Sequence, residues 1–175
     1  MPTPTYSPIV TQTLSSDTTS ITFSSIPSTY VDLVLVMSAQ STRTDYDSPA
    51  WLQFNSDTGT NYSYTYIYSG SVGTIGVGGS RVANDTGITV GYIAAASGSS
   101  QFSPVITNIQ SYGNASIYKG CISRGNEAIT SGTFYGVSAF AGLWRNTAAI
   151  NTIKINTITG FKSGSSFTLY GIKGA

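Results

Sequence analysis

The sequence predicts an all-β chain folded as an antiparallel two-sheet sandwich, and three observations carry that expectation. Short runs rich in Val, Ile, Thr, Tyr and Phe follow one another with turn residues between them. No long stretch places apolar residues at helical spacing. Residues 61–68 read Asn-Tyr-Ser-Tyr-Thr-Tyr-Ile-Tyr, an alternation that a strand resolves into two distinct faces. At 175 residues the chain suits one domain. A chain of this size buries roughly 70% of its unfolded surface, enough for a core without metal or disulfide support.

Taken in order, residues 1–17 hold three prolines and no apolar period, which predicts an extended N-terminal arm ahead of a sandwich domain at 18–175. Ser20–Phe23 alternates and stops before Pro27; Tyr30–Ser38 is β-branched and mostly apolar, as a central strand would be. Trp51–Phe54 leads through Asn55-Ser56-Asp57-Thr58-Gly59 into the tyrosine run, and a β-hairpin is the expected connection. Residues 70–83 carry five glycines and predict a mobile or ligand-facing loop. Strands are then expected at Ile88–Ile93, Val105–Gln110, Ser116–Ser123, Thr133–Trp144, Ile150–Ile158 and Phe167–Ile172, with a short helix or turn at Asn146–Ala149. Eight to ten strands at this spacing fit a sandwich with jelly-roll topology. No fixed repeat supports a propeller or solenoid.

Tyr62, Tyr64, Tyr66 and Tyr68 share one face of their strand, and an aromatic face of that size is a contact surface. It can serve the protein's own core, a neighbouring subunit or a sugar, since tyrosine combines a rigid apolar ring with a polar tip. Trp51 shares a face with Gln53, opposite Leu52 and Phe54, and is expected to point outward. Trp144 precedes Arg145 at a strand end, where a cation can stack on the ring. With Tyr6 of the arm, these residues form the candidate set for interface or ligand contact.

Only fifteen residues carry a formal charge, for a net +1, against 19 glycines and 12 tyrosines. Hydroxyls and amides must make up much of the surface, which suits protein packing or sugars better than polyanions. The eight cations are scattered from Arg43 to Lys173 with no basic run to follow a phosphate backbone, so nucleic acid is not an expected partner. The longest apolar run, Val31–Met37, contains Asp32 and is too short to cross a bilayer, so no membrane is expected either. The first residues lack the basic and apolar regions of a secretory leader, and synthesis in a cytoplasm is the expectation.

Raw material for catalysis is scarce. Histidine is absent, which removes the commonest general base and metal ligand. Cys121 has no second cysteine to pair with and reads as a small buried hydrophobe. Among the seven acids only Asp45 and Asp47 are close in sequence, a thin basis for glycosidase chemistry. A calcium site on Asp45, Asp47 and Asp57 is the one metal reading these acids allow, and a solvated loop is the simpler one. Residues 73–80 lack the Gly-Lys-Ser/Thr ending of a phosphate loop. The chain is therefore expected to be non-enzymatic, with no catalytic residue and no cofactor.

Four stretches point further: Ile21–Tyr30 followed by Asp32–Leu35, Thr58–Tyr64, Trp144–Ile150 and Gly164–Ile172. Together they resemble a β-sandwich module of virion proteins of tailed bacteriophages, over about residues 20–172. The module occurs in capsid decoration or cement proteins and in longer tail proteins. The resemblance implies a structural role on the virion, assembly as a homotrimer, and the major capsid protein as partner, with the arm reaching a neighbouring subunit or the shell. The chain would be made in the host bacterial cytoplasm. The alternative it implies is the receptor-binding tip of a tail fibre or spike, where the tyrosine face, Trp51 or the 70–83 segment would hold a host glycan.

Overall fold

The computed structural model describes residues 5–69, 77–97, 100–127, 129 and 136–174. Twelve strands run through them: β1 (Tyr6–Thr13), β2 (Thr18–Phe23), β3 (Asp32–Ala39), β4 (Asp47–Phe54), β5 (Tyr62–Ser69), β6 (Val77–Asp85), β7 (Ile88–Ala94), β8 (Ser103–Ile109), β9 (Lys119–Asn126), β10 (Val137–Trp144), β11 (Ile153–Phe161) and β12 (Ser166–Ile172). They form an eight-stranded sheet in the order β1-β12-β3-β8-β9-β10-β5-β6 and a four-stranded sheet in the order β2-β11-β4-β7. Every ladder between named strands is antiparallel. The all-β, two-sheet sandwich read from the sequence is the fold observed, and no described residue is helical.

The inner faces supply one continuous core. In β4, Ser48, Ala50, Leu52 and Phe54 are buried while Asp47, Pro49, Trp51 and Gln53 are half-buried on the other side, so the alternation sorts the strand as the sequence indicates. Leu33, Leu35 and Met37 of β3, Ile153 and Ile155 of β11, and Phe167 and Leu169 of β12 complete the packing. Buried polar groups are mostly hydroxyls and amides that find partners: Ser48 with Thr157 at 2.7 Å and Thr107 with Ser123 at 2.9 Å. Among the described residues no buried side-chain polar atom lacks one, as the cost of an unmade buried hydrogen bond requires.

Four expectations are corrected. Residues 6–13 form no arm outside the sandwich: β1 pairs with β12 from Tyr6↔Ile172 to Thr13↔Ser166, and Leu14 exchanges backbone hydrogen bonds with Gly164 and Ser165. Pro8 is tolerated because β1 is an edge strand, and the register slips between Pro8 and Val10. The connection from β4 to β5 is no hairpin, because the two strands lie in different sheets. Asn55 and Ser56 take positive φ (51° and 59°), and the chain crosses the core so that Phe54 and Tyr62 are both buried. In the glycine-rich segment, residues 77–83 belong to β6 and residues 70–76 lie outside the described residues. Gly78 lets the Tyr68 ring lie close over the backbone: a Cβ there would stand 2.7 Å from the ring, which would have to shift. Asn146–Ala149 is irregular chain with a bend at Ala148.

Candidate binding surfaces

The two sheets differ in width, and that decides what becomes of the tyrosine face. β7, at the edge of the small sheet, packs across β10, β9 and β8 but barely reaches β5. Tyr62 is fully buried, Tyr64 and Tyr66 are half-buried, and Tyr68 is 42% exposed. The ladder thus runs from core to surface along a single strand.

At its covered end Tyr62 stacks on Trp144 with centroids 6.2 Å apart, and Phe54 lies against both rings. The Tyr62 hydroxyl accepts from the Phe54 N–H at 3.0 Å and donates to the Asp57 carbonyl at 3.0 Å. Trp144 donates its indole N–H to Asp57 Oδ2 at 2.7 Å. Burial alone would raise the Asp57 carboxyl, but hydrogen bonds from Trp144, Asn61, Gly59 and Asn146 outweigh it and hold the group below 3.8. Burial pushes the Tyr62 phenol up to about 12. Tyr62 and Trp144 are therefore core residues with no exposed surface, and the contact role considered for them does not fit their place in this fold. Asp57 is committed to this corner, away from any calcium cluster with Asp45 and Asp47. Asp45 pairs with Arg43 at 2.6 Å, and no group of three or more acids, cysteines or histidines converges among the described residues.

At the open end Tyr66 stacks on Phe140 at 5.3 Å, Tyr64 and Tyr92 also lie against Phe140, and Tyr66 meets Tyr68 at 5.9 Å. Burial, reinforced by Tyr66 and Asp47, pushes the Tyr92 phenol up to about 12. Glu127 belongs to the same neighbourhood: burial and the Asp47 charge raise it to about 7.

Where β5 and β6 overhang β7, a groove of about 400 Å³ opens along the margin of the small sheet. Trp51, Gln53, Tyr64, Asp85, Thr89 and Asn156 line it, so two of the seven candidates, Trp51 and Tyr64 from different sheets, come together here. Register places Asn156 and Thr89 on either side of Trp51. The turn between β6 and β7 closes one end, with Gly87 so near that a Cβ would stand 2.6 Å from Trp51 Cδ1. Gln53 donates to the Thr86 carbonyl at 2.9 Å and accepts from Asn156 at 3.3 Å. Asp85 accepts the Thr86 N–H at 2.7 Å. Burial raises the Tyr64 phenol, which is hydrogen-bonded with Thr89 and Asp85.

A second surface was missed by attending to the tyrosines, although the same alternation contains it. The outer face of the large sheet carries Ile67 of β5, Val137 and Leu143 of β10 and Ile122 of β9 at 59%, 58%, 37% and 56% exposure. Cross-strand register joins them: Ile122, Ala141, Thr65 and Arg81 form one row, and Arg124, Ala139, Ile67 and Gly79 the next. Arg81 and Arg124 are the charges on these rows, and neither is in an ion pair among the described residues. Ile67, Val137 and Ala139 border a shallow apolar hollow of about 260 Å³.

The remaining candidates are placed singly. Tyr6 is 57% exposed and meets Tyr170 edge-on at 6.4 Å. Cys121 is buried in the core, where desolvation pushes its thiol up to about 12. Lys119 is fully buried, which composition could not reveal, and donates to the carbonyls of Ile117 at 2.6 Å and Thr147 at 2.9 Å. Burial lowers its pKa.

No protein-family model and no curated protein matches the chain. Among solved structures, a toad ovary galectin in complex with thio-digalactose is similar at 8% identity over 87% of this chain and 98% of the galectin, with a TM-score of 0.28. A protein of unknown function from Shewanella oneidensis matches at 12% identity over 95% of this chain and 75% of the other, TM-score 0.19. A chain of the infectious bursal disease virus Gt strain matches at 10% identity over 95% of this chain and 42% of the viral one, TM-score 0.14. Likenesses this slight carry no argument about function.

Proposed function

We propose that this chain is a non-enzymatic structural protein of a tailed-bacteriophage virion, acting as a capsid decoration or cement protein that docks on the major capsid protein shell. The resemblance in sequence supplies the virion. The observation that carries docking is the outer face of β9, β10 and β5, where Ile67, Ile122, Val137 and Leu143 stand exposed around Ala139 and Ala141. A contiguous apolar face of this kind marks an interaction surface. Arg81 and Arg124 at its margins, with no carboxylate on either row, suit a partner surface that bears acids. Charge complementarity of that kind disfavours face-to-face pairing of two copies, so a homotrimer would use other edges.

The wiring supports the same class. A jelly roll orders its eight strands first-eighth-third-sixth in one sheet and second-seventh-fourth-fifth in the other. Counting from β2 and taking the β8-β9-β10 meander as one position, the two sheets read in that order, with β12 and β1 added at one edge. We read the fold as an elaborated jelly roll, an architecture found in viral capsid and lectin domains. This is analogy at the level of fold.

Cryo-electron microscopy of the intact particle tests the proposal. Density for this chain on the shell, outer sheet face inward, is the expected result. Density confined to the distal tail would replace it with the receptor-binding reading, and a particle without the chain would overturn both. Particles lacking the chain should be saturated by the native protein and bind Ile67→Asp/Ile122→Asp at least about 100-fold more weakly. The variant's melting temperature should hold, since both side chains are already exposed.

A further inference from the structure

We propose that the groove at the margin of the small sheet is a saccharide-binding site, on a face distinct from the apolar docking surface and independent of it. Its volume of about 400 Å³ lies within the roughly 300–1,000 Å³ of small-ligand clefts. Its chemistry selects the ligand class. A sugar ring presents an apolar C–H face and a rim of hydroxyls, and needs an aromatic wall bordered by fixed donors and acceptors. Trp51 supplies the wall and is held in place by the close approach of Gly87.

The polar groups are anchored as a site requires. Gln53 is fixed between Thr86 and Asn156, so the Asn156 amide is oriented through its bond to Gln53 while its carbonyl oxygen is left to accept. Asp85 receives the Thr86 N–H, and a carboxylate has further lone pairs to offer a pair of sugar hydroxyls. No lining side chain is cationic, the nearest cation in register being Lys154 opposite Gln53. Two aromatic rings separated by amides and hydroxyls do not form the cage a quaternary ammonium group requires.

Screening the full chain on an array of bacterial-surface and plant oligosaccharides tests the site, followed by fluorescence titration of each bound sugar. Trp144 is fully buried, so a ligand-induced shift in emission reports Trp51. The expected result is binding of at least one oligosaccharide with a shift in emission. Affinity should fall about tenfold or more in Trp51→Ala and in Asn156→Ala. Asn156→Ala gives up a buried amide and its bond to Gln53, so its melting temperature should fall somewhat while the transition stays cooperative, and the cooperative melt separates lost binding from lost fold. Ile67→Asp/Ile122→Asp should bind sugar as the native chain does, so this proposal and the docking proposal fail separately. Silence across the array, binding untouched by both groove substitutions, or a response to tetramethylammonium alone would each overturn it.

Discussion

Tyr62 and Tyr68 sit on the same face of the same strand, six residues apart, and have opposite fates. Tyr62 is enclosed by Phe54 and Trp144, with its hydroxyl spent on the backbone of the β4–β5 crossing. Tyr68 leans over Gly78 and remains 42% exposed. What differs is the opposite layer: Phe54 and the β4–β5 crossing close over Tyr62, while farther along β5 the small sheet's edge strand β7 makes little contact. Strand periodicity assigns side chains to a face; the width of the facing sheet decides how much of that face becomes core and how much is left for partners.

The largest effect that would break this comparison is at the covered end. Trp144→Ala should cost about 3–5 kcal/mol in urea denaturation, as a large aromatic removed from a packed core does, while Tyr68→Ala should cost under about 1 kcal/mol. Equal costs would mean that the two ends are not differently packed. Deleting residues 1–14 comes next. It removes β1 with half-buried Ile9 and buried Leu14 and should cost roughly 2–4 kcal/mol, given about 1.5–3 kcal/mol per buried aliphatic side chain. It would also leave β12 as an unprotected edge, so increased self-association is expected by light scattering. Stability equal to the native chain would restore the reading of these residues as an arm. Tyr62→Phe keeps the ring and removes the hydroxyl; the Phe54 N–H then loses its partner, and a loss of about 1–3 kcal/mol is expected.

Much of the fold was legible because the alternation is strong: the inward side of β4 and the strand character of β2, β3, β5 and β7 to β12 follow from it. What was not legible depends on pairing partners distant in sequence. Pro8 reads as a strand breaker until an edge position makes its missing N–H harmless. Gly78 and Gly79 read as loop until Tyr68 and the Tyr66 backbone are seen pressed against them. Asn55 and Ser56 read as a hairpin turn, and the crossing between sheets that they make uses the same positive φ. For the surfaces, Trp51 was legible as outward and Tyr64 as aromatic, but their meeting across β7 was not. Ile67, the outward partner of the tyrosines, was visible in the same run and drew less notice than the rings beside it.

Effects of pH sharpen the comparison because each end of the tyrosine strand has its own acid. Asp57, at the covered end, is held below its ordinary 3.8. Its contribution is fully present above the unfolded value and is lost as pH falls through the lower folded value. Glu127, in the neighbourhood of Tyr92 at the open end, is raised from 4.5 to about 7. Between those values the folded chain keeps a proton that the unfolded chain has released, so stability should decline as pH rises through that window and level off above it. Glu127→Gln should flatten the decline and leave the acid limb alone; Asp57→Asn should weaken the acid limb and leave the decline. Urea midpoints from pH 3 to pH 8 for the native chain and both variants read the two limbs separately. If either substitution moved both limbs together, the ends would be one electrostatic unit, and the division drawn from sheet width would apply to packing alone.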